Sequence, residues 1–179
     1  MKKHNSIRWA SAAISAAVVL GAAGCATHGS EPGATARLEP TRGSTTTGMV
    51  RFVQLGDVVK VSGEVRGLKP GAEHGFHIHE KGDCSSGDGM SAGGHFNPGG
   101  QPHGHHGSGM HHTGDLPSLK ADANGVASFG FESRSIRLGS GNNDIVGKGL
   151  IVHRDPDDYR TQPTGNAGPR LACAVIAAR

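Results

Sequence analysis

Aromatic residues are scarce in this chain, at 4% of the total, and the pattern shows neither an internal repeat nor a long amphipathic helix. Both features argue against a helical protein. Positive charge is also missing once its source is traced. Lys2, Lys3 and Arg8 lie in the leader, and without them 15 basic residues face 15 acidic ones, so the formal charge of +3 falls to about zero. That balance removes any argument for a nucleic-acid partner, and attraction of an anion would need a local arrangement of charge. Long hydrophobic runs are absent too. The one apolar stretch, Ala10 to Ala23, is too short to span a bilayer comfortably. What is abundant is glycine, 30 residues, with nine prolines, a composition that favours short strands joined by tight turns. An apolar fraction of 35% in 179 residues suffices for one modest core and one domain.

The basic start followed by a small-residue apolar run reads as an export signal over residues 1–24. It ends at Ala22-Ala23-Gly24-Cys25, which resembles the lipobox where bacterial lipoproteins are cleaved and the cysteine receives lipid. Ala22 departs from the usual leucine, so ordinary signal cleavage nearby is the alternative. Cysteine parity agrees with the lipid reading: Cys84 and Cys173 can pair in an oxidising compartment, which leaves Cys25 over. Residues 25–47 are rich in Gly, Ser, Thr, Pro and Ala, and they are expected to form a flexible tether. Order is expected from Gly48 onward, giving a folded domain over 48–179. Location follows as the bacterial periplasm, with membrane attachment through a lipidated Cys25 and no spanning helix.

Within the domain, Val59, Val61 and Val65 alternate with Lys60, Ser62, Glu64 and Arg66, the pattern of a half-buried strand. Further strands are expected over Met49–Leu55, Gly75–Glu80, Val126–Glu132, Leu150–His153 and Leu171–Ile176, with a hairpin-type turn at Asp122-Ala123-Asn124-Gly125. Two stretches lack periodicity, Lys81 to Asp115 and Arg154 to Pro169. Loops of such length in one domain are usually functional or held by ligands.

Nine of the twelve histidines fall between His74 and His112, which points to metal. In His77-Ile78-His79 a strand with period two sets both imidazoles on one face, roughly 6.6 Å apart at the backbone, and Phe76 and Ile78 on the other. His74, an odd number of residues away, falls on the opposite side and is read as structural. His95, His103, His105, His106, His111, His112 and Asp115 follow, and His153 ends the apolar run Leu150-Ile151-Val152. An imidazole and carboxylate set suits a closed zinc site, whereas an all-imidazole set with an open position suits copper.

The segments around His77, His95, His112 and His153, in that order, resemble those of copper,zinc superoxide dismutases from about Gly48 to the C-terminus. The resemblance implies an all-β fold, a Greek-key β-sandwich or flattened barrel of immunoglobulin-like kind with two long functional loops. It implies copper ligation by His77, His79, His95 and His153, and zinc ligation by His95, His103, His112 and Asp115, with His95 as the bridge. It implies a disulfide between Cys84 and Cys173. Arg170 matches the arginine that guides the anion to copper, and Asp157 the carboxylate that links a copper-side and a zinc-side histidine. The implied activity is disproportionation of superoxide, the substrate, in a monomer or homodimer, with Arg170 and His95 as the catalytic residues.

Some residues depart from that pattern. Pro163 stands where eukaryotic members have a steering lysine, which leaves Lys81, Lys148, Arg154 and Arg160 as candidate steering cations. His105, His106 and His111 have no role in the carried-over set. They favour a competing reading, a noncatalytic module that stores copper or zinc. A copper-delivery domain that has lost its site is weaker, because the ligand set is complete.

Overall fold

The computed structural model describes Met1 and residues 32–179. Apart from Met1, the export signal expected over 1–24, Cys25 and the first part of the tether lie outside these residues. Ten strands follow in chain order: β1 (Gly33–Pro40), β2 (Thr47–Leu55), β3 (Val58–Arg66), β4 (Glu73–His74), β5 (Phe76–His79), β6 (Leu119–Lys120), β7 (Ala127–Ser133), β8 (Gly149–His153), β9 (Arg170–Val175) and β10 (Ala177–Ala178). The only helical element among the described residues is one 3-10 turn, Met90–Ala92. The expected all-β class is what the chain adopts.

Eight strands form one curled antiparallel sheet in the order β5-β8-β9-β1-β2-β3-β7, with β10 on β1, while β4 and β6 pair separately. β1 is the strand that joins the two halves. Gly33 to Leu38 pair with β2, and Glu39 and Pro40 pair with Cys173 and Ala172 of β9. The halves therefore close over the main apolar core, to which Leu38, Phe52 and Val61 come from one side and Phe76, Ile78, Leu150 and Val152 from the other. Each such side chain contributes about 1.5–3 kcal/mol by leaving water.

The strand β1 corrects the expected tether. Residues 33–40 are ordered sheet, with Ala34, Ala36 and Leu38 alternating into the core. Two of its three inward residues are alanines, which carry little hydrophobic signal. Its backbone is held by β2, β9 and β10, which no local pattern reveals. The turn at residues 122–125 also forms, with the Asp122 carboxylate accepting the N–H groups of Asn124 and Val126. It is not a hairpin, however. The strands on either side pair elsewhere, β6 with β4 and β7 with β3.

In β3 the valine pattern holds, with Val59, Val61 and Val65 fully buried. The missing inward member is Gly63, where a Cβ would sit 2.5 Å from the Met49 carbonyl and 3.0 Å from the Phe129 ring. Close approach of β2 thus requires glycine there.

Candidate metal centre

β5 sends Phe76 and Ile78 into the core and His77 and His79 to the opposite face, as strand alternation requires. All four are fully buried, the two histidines because the loop after β5 folds back across their face. Two isolated bridges fix the return: His79 opposite His95, and His77 opposite Asp115. β8 pairs with β5 and ends in His153, and a register irregularity after Val152 sets His153 opposite Arg170 of β9. The disulfide Cys84–Cys173, with Cα atoms 5.8 Å apart, ties the same loop to β9. Joining residues separated by 89 positions restricts the unfolded chain by about 4–5 kcal/mol.

Two groups of buried donor atoms result, each with its members within 4.8 Å of one another: His77, His79, His95 and His153, and His95, His103, His112 and Asp115. His95 belongs to both. Hydrogen bonds at the outer edges decide which atoms face inward. His79 Nδ1 donates to the Gly93 carbonyl at 2.9 Å and His153 Nδ1 to the Gly168 carbonyl at 3.1 Å. Their Nε2 atoms consequently meet 3.4 Å apart. His77 is turned the other way, donating through Nε2 to Asp157 Oδ2 at 2.7 Å, so that Nδ1 is its free atom.

In the second group three Nδ1 atoms converge on Asp115 Oδ1: His95 at 2.9 Å, His103 at 3.1 Å and His112 at 3.5 Å. Asp115 Oδ2 is held by the backbone N–H groups of Gly104 and His112. Asp157 spans both groups, since its Oδ1 accepts His103 Nε2 at 2.9 Å while Oδ2 holds His77.

The electrostatics suit cation binding. Burial, partly offset by Asp115, lowers the His95 pKa to about 4, and burial with neighbouring imidazoles puts His79 and His153 well below their ordinary value. These three rings are neutral at pH 7 and present lone pairs. Burial opposes charge on His103 as well, but the neighbouring carboxylates of Asp115 and Asp157 overcome it and raise its pKa to about 9. A metal there has to displace that proton. Burial alone would raise the two carboxylates, yet the histidines around them hold both Asp115 and Asp157 below the usual carboxylate range.

Whether a metal fits is tested by the atoms left without partners. Among the described residues, the buried nitrogens with no hydrogen bond are His77 Nδ1, His95 Nε2, His103 Nδ1 and His74 Nε2. His103 Nδ1 lies near Asp115, but its angle makes no hydrogen bond. Leaving such an atom unpaired costs about 1–3 kcal/mol, and three of the four point into the two donor groups. The groups also differ in kind. Four imidazoles without a carboxylate match copper, and three imidazoles with one carboxylate match a closed zinc site.

Arg170 lies beside the first group, with its guanidinium donating to the carbonyls of Gly89 at 2.5 Å and Gly93 at 2.6 Å. Gly93 therefore positions both Arg170 and His79, a role the sequence did not disclose, because a backbone carbonyl carries no side-chain signature. Gly165 was missed for the same reason; it packs against Asp157 and His103. Among the candidate steering cations, Arg154 is occupied by Asp155 and Lys148 donates to the Glu80 carbonyl. Lys81 and Arg160 form no salt bridge with the described residues. His74 is outside both groups, donating through Nδ1 to the His153 carbonyl at 2.9 Å.

Comparison with known proteins agrees with this geometry. The family model described as copper/zinc superoxide dismutase matches residues 46–176. A Cu-Zn superoxide dismutase of Paramecium bursaria Chlorella virus 1 is 45% identical over 135 residues, which are 72% of this chain and 71% of that protein. One from Onchocerca volvulus is 42% identical over 147 residues, 76% of this chain and 91% of that protein. A crystal structure of the clock protein EA4 superposes with a TM-score of 0.75 at 39% identity, covering 83% of this chain and 95% of that one. Sequence likeness across most of the length and a shared fold thus coincide with the paired donor groups, and the chain belongs to the copper/zinc superoxide dismutase family.

Proposed function

We propose that the protein disproportionates superoxide, converting two superoxide ions and two protons to oxygen and hydrogen peroxide. In this reading His77, His79, His95 and His153 hold copper, and His95, His103, His112 and Asp115 hold zinc. The observation that carries it is the pair of buried donor groups sharing His95. Copper supplies the one-electron redox cycle, and zinc, which has none, organises the loop.

The remaining work falls to the chain. His95 presents one ring nitrogen to each group, so a proton can be held at Nε2 and passed to the product. Asp157 locks the orientation of His77 and His103 together, and outer hydrogen bonds of this kind raise ligand basicity. Arg170 spends two of its five N–H donors on loop carbonyls and keeps the others for an anion in a fixed direction. His153 and His95 retain only 4% and 7% exposure, so the approach admits small species.

Purified protein loaded with both metals is expected to accelerate superoxide loss, and failure to do so would overturn the assignment. Arg170→Ala should keep both metals yet slow the reaction by about 10-fold or more. Unchanged kinetics in that variant would remove its guiding role.

The same proposal places the enzyme in a bacterial cell envelope, anchored through lipid on Cys25 and protecting the envelope from oxidative damage. Its support is the basic start, the short apolar run and the Ala22-Ala23-Gly24-Cys25 sequence. No helix of the described residues is long and apolar enough to cross a membrane. The intact mass of the native protein should correspond to a chain beginning at a lipid-modified Cys25, and an unmodified chain beginning elsewhere would contradict it.

A further inference from the structure

We propose that His106 and His111 form a third metal site, at the surface, that takes one divalent transition-metal cation of the copper(II) or zinc(II) class. Neither residue belongs to the two buried groups. The two rings lie side by side, tilted by 55°, with centroids 5.5 Å apart, close to the 5.3 Å and 5.5 Å that separate His112 from His95 and His103 inside the centre.

Their orientation is fixed in the same manner as that of His79 and His153. His106 Nδ1 donates to the Asp115 carbonyl at 2.9 Å, and His111 Nδ1 donates to the His112 carbonyl at 2.6 Å. A ring whose Nδ1–H is held by a backbone oxygen keeps its lone pair on Nε2, the arrangement seen for His79 and His153. Two imidazoles set in advance lose little freedom when an ion arrives.

The surroundings provide room and oxygen donors. His106 and His111 are half-buried and line a cavity of about 340 Å³ with Glu132, Arg134 and Ser135. Oxygen from Glu132 or water completes a mixed nitrogen and oxygen shell, which first-row cations accept, copper(II) most strongly. His105 is not part of the pair. Its ring packs on Tyr159 at 4.7 Å, and its Nδ1 donates to the His106 carbonyl.

The test uses full-length protein with both buried sites already filled, titrated with copper(II) and followed by metal content and electron paramagnetic resonance. One further equivalent per chain is expected, with nitrogen hyperfine structure from imidazole. H106A/H111A should weaken that equivalent at least tenfold while retaining the two buried metals, and H105A should leave it in place. Absence of a third equivalent, its persistence in the double variant, or equal loss in H105A would overturn the proposal. If the double variant also loses buried metal, H111A alone carries the test by the same readings. Because this titration measures binding, its outcome is separable from that of the superoxide assay.

Discussion

His153→Ala is expected to remove copper and bring superoxide disproportionation to background while most zinc stays bound. Asp115→Ala should act in the opposite sense, weakening zinc first. The reason is membership: His153 serves only the all-imidazole group, Asp115 only the mixed one. His153 also leaves little behind when truncated, since its Nδ1 bond is to a single loop carbonyl. Asp115 differs. Its carboxylate accepts hydrogen bonds from the His95 imidazole and two backbone N–H groups, and stranding those donors costs about 1–3 kcal/mol for each one left unsatisfied. The Asp115 variant should therefore be the less stable of the two without metal. Metal content and activity measured on the same samples decide the matter, and equal loss of both metals in each variant would contradict the division.

Gly165→Ala is expected to weaken both metals at once, by about 10- to 100-fold, although the residue is no ligand. Gly165 has φ +64°, and a Cβ there would overlap Asp157 Oδ1 and His103 Nε2. Relief requires movement of the carboxylate that orients one histidine of each group. Gly139→Ala supplies the comparison. Its φ is +79° with open space around it, so it pays only backbone strain of about 1 kcal/mol. Chelator competition for both metals reads the difference, and unchanged affinities in Gly165→Ala would show that the Asp157 bridge is not needed.

Much of the centre is legible in the residue order, because strand periodicity puts His77 and His79 on one face without reference to the rest of the chain. The valine alternation of β3 was equally plain, and so was the polar character of the two long loops. β1 was not. Ala34 and Ala36 look unremarkable beside the glycine and threonine around them, and their burial depends on three distant strands. Gly93 and Gly165 escaped notice for a related reason: one acts through its carbonyl and the other by lacking a side chain.

The residue order alone thus determined the kinds of donor available, the strand that carries two of them and the family to which they conform. Only the tertiary structure decided which ring nitrogen faces inward, that Asp157 joins His77 to His103, and that His106 and His111 stand apart as a pair. Coordination depends on the directions of lone pairs, and those directions are set by hydrogen bonds to carbonyls and carboxylates that sequence distance does not bring together.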